Sequence, residues 1–126
     1  MIQNNIRYSK EHNWVLIQRN IALVGVTKFA ADSLGEVIFI TLPEKGKKLE
    51  QFEKYGEIES LKIVSELYCP VSGFVFDRNH KVIEHPELVN HDPYASGWLL
   101  KVEISDQLQL KLLMDASGYE QYIGGR

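Results

Sequence analysis

A lone lysine stands in the stretch EIESLKIVSELYCPVSG, residues 57–73, between Leu61 and Ile63. The segments on either side of it read as short strands, so Lys62 falls at a hairpin tip. A lysine there is solvated, protonated and mobile. That makes it a poor general base, because catalytic lysines need burial or a neighbouring cation to lower their pKa. Its neighbours Glu57, Glu59 and Glu66 are acids and are expected to hold its charge in place. Such a residue suits recognition and covalent modification by another enzyme. Two Pro-x-x-Gly segments bracket it, ending at Gly46, sixteen residues before, and at Gly73, eleven residues after. Both glycines are expected in turns with φ > 0 on the far side of the fold, holding the tip outward on rigid β structure.

Other reactive residue types offer less. Cys69 precedes Pro70 with no histidine placed by sequence to activate it, and reads as a small, semi-buried filler. His12, His80, His85 and His91 lack metal-ligand spacing on any one element. Trp14, Trp98, Tyr94 and Tyr119 read as core and rim packing rather than a stacking platform.

The elements that must position Lys62 are mostly strands. WVLIQ (14–18) and IALVGV (21–26) flank Arg19-Asn20 as a hairpin. Thr27 is placed to cap a short helix, TKFAADSLG, which Gly35 ends in a left-handed conformation. EVIFITLPEKG reads as a buried strand closed by a turn, and KGKKLEQFEK as a solvated segment of mixed charge. HKVIEHPELVNHDPYASG reads as a long polar loop before the strand WLLKVEI. Asp106 and Gln109 have capping-box spacing for a C-terminal helix carrying Leu108, Leu112 and Leu113. This is a single domain over residues 1–126, α+β or mostly β.

Composition sets the outer limits. With 126 residues, the chain buries about two-thirds of its unfolded surface. A net charge of −3 gives no electrostatic reason to bind nucleic acid. The longest apolar runs are too short to cross a bilayer. The N-terminal stretch lacks the marks of a signal or transit peptide, and the single cysteine fits a reducing compartment, so a cytoplasmic protein is expected; a monomer is expected as well.

Taken in order, EHNWV (11–15), GVTKFAADSLGEV (25–37), LPEKG (42–46), GEIESLK (56–62), YCPVSG (68–73), LVNHDPYASGW (88–98) and LLMDASGY (112–119) form a pattern over nearly the whole chain. In that pattern the sequence resembles the glycine cleavage system H proteins, a family within the lipoyl and biotinyl carrier superfamily. Glu59, three residues before Lys62, and the flanking Gly46 and Gly73 match that family's modification motif. The resemblance implies a hybrid β-sandwich with short peripheral helices and a C-terminal helix, and a carrier rather than an enzyme. It implies lipoic acid in amide linkage on Lys62, installed by a lipoate ligase or an octanoyltransferase. A pyridoxal-phosphate glycine decarboxylase, a tetrahydrofolate-dependent aminomethyltransferase and a dihydrolipoamide dehydrogenase would be the partners. Biotin fits less well, since biotin carriers centre their lysine between methionines.

The sequence departs from the family at a few positions. Asn13 stands where the family has the glutamate of its His-Glu-Trp motif, associated with the cationic end of the loaded arm. Glu66 replaces an aspartate, and Ile63 and Val64 replace small residues. Glu11, Asn13 and Glu66 are therefore the expected lining of an arm cleft. A second reading stays open on these departures: a related scaffold that relays lipoyl groups to 2-oxo acid dehydrogenases without glycine cleavage.

Overall fold

The computed structural model describes residues 6–124. In chain order its elements are β1 (Ile6–Tyr8), β2 (Asn13–Gln18), β3 (Ile21–Val26), α1 (Lys28–Leu34), β4 (Val37–Thr41), β5 (Lys48–Leu49), β6 (Lys54–Ser60), β7 (Val64–Tyr68), β8 (Gly73–Arg78), α2 (His80–Glu84), α3 (Leu88–His91), β9 (Leu100–Ile104), a 3-10 turn (Gln107–Leu112) and α4 (Ala116–Gly124). The strands make two antiparallel sheets, one in the order β1-β2-β3-β9-β8-β5 and one in the order β4-β6-β7.

The core lies between these sheets, and the period-2 alternation of each strand decides what enters it. Val15 and Ile17 of β2, Ala22, Val24 and Val26 of β3, and Leu100, Val102 and Ile104 of β9 pack against Ile40 of β4, Tyr55 and Ile58 of β6 and Leu67 of β7. Trp14 and Leu16 point the other way, into a smaller cluster with Ile6, Tyr8 and Tyr119 of α4. There Tyr8 and Tyr119 stack with ring centres 4.7 Å apart, and the Trp14 indole N–H donates to the Pro93 carbonyl at 3.0 Å. Among the described residues no helix is long and apolar enough to cross a membrane.

Thr27 caps α1 by accepting from the Ala30 N–H, as its sequence position predicts. Gly35 ends that helix with φ 76° and ψ −159°. Its φ is positive, yet its ψ places it in the glycine-only extended region rather than the left-handed helical one. Of the segment EVIFITLPEKG, Val37, Ile40 and Leu42 are buried, while Ile38 and Phe39 are exposed because a bulge shifts the register between Val37 and Phe39. The charged segment 45–54 is mostly solvated, but Leu49 within it is fully buried on β5, worth about 1.5–3 kcal/mol of transfer free energy.

The polar loop holds two short helices. Val82 of α2 and Val89 of α3 are completely buried and fix them to the core. After β9, Asp106 accepts from the Leu108 N–H, but Gln109 does not close the box. Its side chain instead accepts from the Ser72 N–H and donates to Ser72 Oγ, while Leu108 and Leu112 stay exposed. The C-terminal α-helix is α4, further along the chain.

Gly73 is not in a turn. It is the first residue of β8, paired with Leu49 on one side and Ile104 on the other. A Cβ there would run into the backbone carbonyl of Glu103. Gly46 does occupy a turn, with φ 94° and open space where a side chain would go.

Candidate functional site

Lys62 lies in the tight connection between β6 and β7, at the tip of the smaller sheet. Ser60 ties that tip. Its backbone N–H donates to the Ile63 carbonyl at 2.8 Å, and its hydroxyl oxygen accepts from the N–H groups of Lys62 and Ile63 at 3.1 and 3.2 Å. The Leu61 N–H reaches sideways to the Glu36 carbonyl at 3.1 Å, so the tip is fastened to the α1–β4 connection as well. Backbone donors in a two-strand turn are otherwise left to water, and satisfying all four of these N–H groups stiffens the tip. Sequence reasoning misses Ser60. The signal was present: a serine two residues before the lysine, placed for a side-chain-to-backbone turn.

The side chain of Lys62 is exposed and makes no ion pair among the described residues. Two of the three acids expected to hold it, Glu57 and Glu66, are engaged elsewhere. Strand register sets Glu57 opposite Glu66, and Lys54 bridges the two at 2.8 and 3.4 Å. The Tyr68 hydroxyl donates to Glu66 at 2.5 Å. That hydrogen bond first, and Lys54 second, hold the Glu66 carboxyl below the usual carboxylate range. Glu59 stands between Phe39 and Val64 in the register of the small sheet, and both of these apolar neighbours are exposed. Leu61 and Ile63 are exposed too, so the lysine rises from an apolar surround.

Beginning at Ile63, beside the lysine, a groove of about 200 Å³ runs between α1 and the smaller sheet. Phe29, Ala30, Ser33 and Leu34 form one wall; Ile58, Ser65, Glu66 and Leu67 form the other; Glu11 and His12 line it too. Of the three residues expected there, the structure brings together Glu11 and Glu66. Asn13 is not among the lining. It shares the inward face of β2 with Val15 and Ile17, is buried, and accepts a 2.7 Å hydrogen bond from the buried Tyr55 hydroxyl through Oδ1. The reason is parity: a residue two positions before a core valine points into the core.

His12 takes a place that sequence reasoning missed. It adopts φ 69°, and its Nδ1 lies 2.8 Å from the Tyr119 hydroxyl, which lies 2.8 Å from Thr27 Oγ1. This chain joins the groove to α4 and to the cap of α1. Burial above all pushes the Tyr119 phenol up to about 12. Cys69 is fully buried, donates to the Val71 carbonyl, and has its thiol pushed up to about 12 by burial, so it is inert at neutral pH. Among the described residues no group of three His, Cys, Asp or Glu is placed to hold a metal ion.

Comparison with known proteins agrees with this geometry. The glycine cleavage H-protein family matches residues 6–125. The chain is 49% identical over 118 residues to the glycine cleavage system H protein of Symbiobacterium thermophilum, covering 94% of this chain and 92% of that one. It is 43% identical to the corresponding protein of Staphylococcus epidermidis, covering 98% of each. A crystal structure of a glycine cleavage system H protein from Mycobacterium marinum superposes with a TM-score of 0.88 at 32% identity, covering 98% of this chain and 99% of that one. The chain therefore belongs to the glycine cleavage H-protein family, the non-catalytic lipoyl carriers of glycine cleavage.

Proposed function

We propose that Lys62 is the residue of this chain that carries lipoic acid, and that the groove beside it receives the loaded arm. The observation that carries this reading is the tip itself: an exposed lysine, free of ion pairs among the described residues, on a turn tied by Ser60 and Glu36. Lipoate fits such a site, because an amide bond there leaves a long arm in solvent with a groove starting at the next residue. Attachment by a lipoate ligase uses ATP: lipoate is activated as its adenylate with loss of pyrophosphate, then Lys62 Nζ displaces AMP and gives up a proton. Once attached, the group supplies a disulfide that accepts a one-carbon unit and a dithiol that is later reoxidised.

This chain's own part is to present, hold and shield. A rigid tip keeps the arm at high effective concentration for each partner in turn. Those partners are the pyridoxal-phosphate glycine decarboxylase, the aminomethyltransferase and the dihydrolipoamide dehydrogenase of the system. Reduced, buried Cys69 suits work in the cytoplasm. Glu11, which makes no ion pair among the described residues, meets the cationic end of the loaded arm; Glu66, already shared with Lys54 and Tyr68, assists. The lipoyl-relay reading depends on the departures at Asn13 and Ile63, and chiefly on Asn13 weakening the groove. With Asn13 turned into the core and two carboxylates still lining the groove, no observation favours that reading.

The test is acylation. Incubation with lipoate ligase, ATP and lipoate should add a single lipoyl mass, mapped to Lys62 and absent from Lys62→Arg. An adduct that survives this substitution would refute the assignment.

A further inference from the structure

Gly35 and Glu36 connect α1 to Val37, the first residue of β4, and all three are held by hydrogen bonds. The Asn90 carboxamide of α3 grips the first and the last: its Nδ2 donates to the Gly35 carbonyl at 2.7 Å, and its Oδ1 accepts from the Val37 N–H at 2.9 Å. The middle residue, Glu36, faces the other way and accepts from the Leu61 N–H at 3.1 Å. Leu61 is the residue before Lys62. Gly35 also forms the floor beneath the lysine stem, since a Cβ built on it would lie 2.8 Å from Lys62 Cε and 3.4 Å from Nζ.

We propose that Asn90 is a positioning residue for Lys62, acting through this connection. A carboxamide is the side chain that offers a donor and an acceptor side by side, and here both are used on one three-residue segment. An aspartate would lose the donor and set a charge against the Gly35 carbonyl. The connection so held fixes the Leu61 backbone and keeps a Cβ-free shelf on which the lysine stem rests. Release of the clamp leaves Ser60 as the tip's remaining tie, so Lys62 reaches the modifying enzyme with its backbone less well ordered. Positional errors of about an ångström are costly in enzyme recognition.

This inference rests on Lys62 being the acylated residue, and the experiment separates the two. Acylation kinetics of the wild type, Asn90→Ala and Val75→Ala are measured at a temperature where all three are fully folded. Val75 is buried in the far sheet, so its truncation destabilises without touching the clamp. Amide hydrogen exchange at Leu61 is followed in parallel. For Asn90→Ala, the expected result is a fall of about tenfold in kcat/KM for acylation, carried by KM, with faster exchange at Leu61. Val75→Ala should keep wild-type kinetics and local protection. If Asn90→Ala does not fold, Asn90→Asp is read the same way. Wild-type KM in the Asn90 variant overturns the clamp while leaving Lys62 as the site. Failure of the wild type to be acylated at Lys62 overturns both.

Discussion

The phenol of Tyr55 and the carboxamide of Asn13 share a buried hydrogen bond of 2.7 Å in the core, while Glu11 and Glu66 are the carboxylates that line the groove. Burial pushes the Tyr55 phenol far above its ordinary range, so it stays a neutral donor at any working pH. Asn13 Oδ1 is its acceptor, and the position contributes to the core instead of to charge recognition.

Tyr55→Phe should lower stability by about 1 kcal/mol, since it strips a buried acceptor of its donor. Asn13→Leu should cost about 1–3 kcal/mol by orphaning the phenol. The double variant should be less damaged than the sum of the two, because neither polar group is then left unpaired. Urea denaturation of the four proteins measures the coupling, and strict additivity would show that the pair does not interact.

Retention of the loaded arm should depend on Glu11. With the decarboxylase used to load the lipoylated protein, and without folate, Glu11→Gln should lose its one-carbon unit about fivefold faster than wild type. Asn13→Ala, compared at a temperature where it is folded, should match wild type. A normal lifetime for Glu11→Gln would assign the contact to Glu66 or to water.

The two flanking glycines should behave differently. Gly73→Ala forces a methyl group into the Glu103 carbonyl and should cost about 3 kcal/mol or more. Gly46→Ala meets nothing within 4 Å and should cost only about 1 kcal/mol, through its φ of 94°. Thermal melts of both variants check this, and equal losses would contradict it.

Stability should fall in alkali. Burial raises the thiol of Cys69 from 9.0 to about 12 and the phenol of Tyr119 from 10.0 to about 12, and raises Tyr55 as well. The unfolded chain loses these protons at their ordinary values while the folded chain keeps them. The unfolded state then binds fewer protons, so stability is intact below pH 9.0 and declines as pH rises towards about 12. Denaturation midpoints taken from neutral pH upward should show this, and in Cys69→Ser the decline should begin later, near the phenol range.

What could be read from the sequence follows the range of the interactions. The Thr27 cap and the hairpin bearing Lys62 depend on neighbours a few residues away, and their signals are local. The α2–α3 segment has the composition of a loop because its charged residues conceal Val82 and Val89, whose burial depends on distant strands. The partners of Asn13 and Glu66 depend on sheet register. A shift of one residue reverses the face each presents, and no local pattern shows that Lys54, and not Lys62, collects Glu57 and Glu66. Asn90 sits in a stretch with no strand or turn signature, so its hold on residues 35–37 is visible only in three dimensions.

The most direct measurement is glycine-dependent loading of the lipoylated protein. With the pyridoxal-phosphate decarboxylase and glycine labelled at its methylene carbon, wild-type protein lipoylated at Lys62 should acquire label on the modified lysine, with loss of carbon dioxide. Lys62→Arg taken through the same lipoylation reaction should acquire none. Label on Lys62→Arg, or a fully lipoylated wild type that takes up no label, would contradict the assignment of Lys62 as the residue through which this chain serves glycine cleavage.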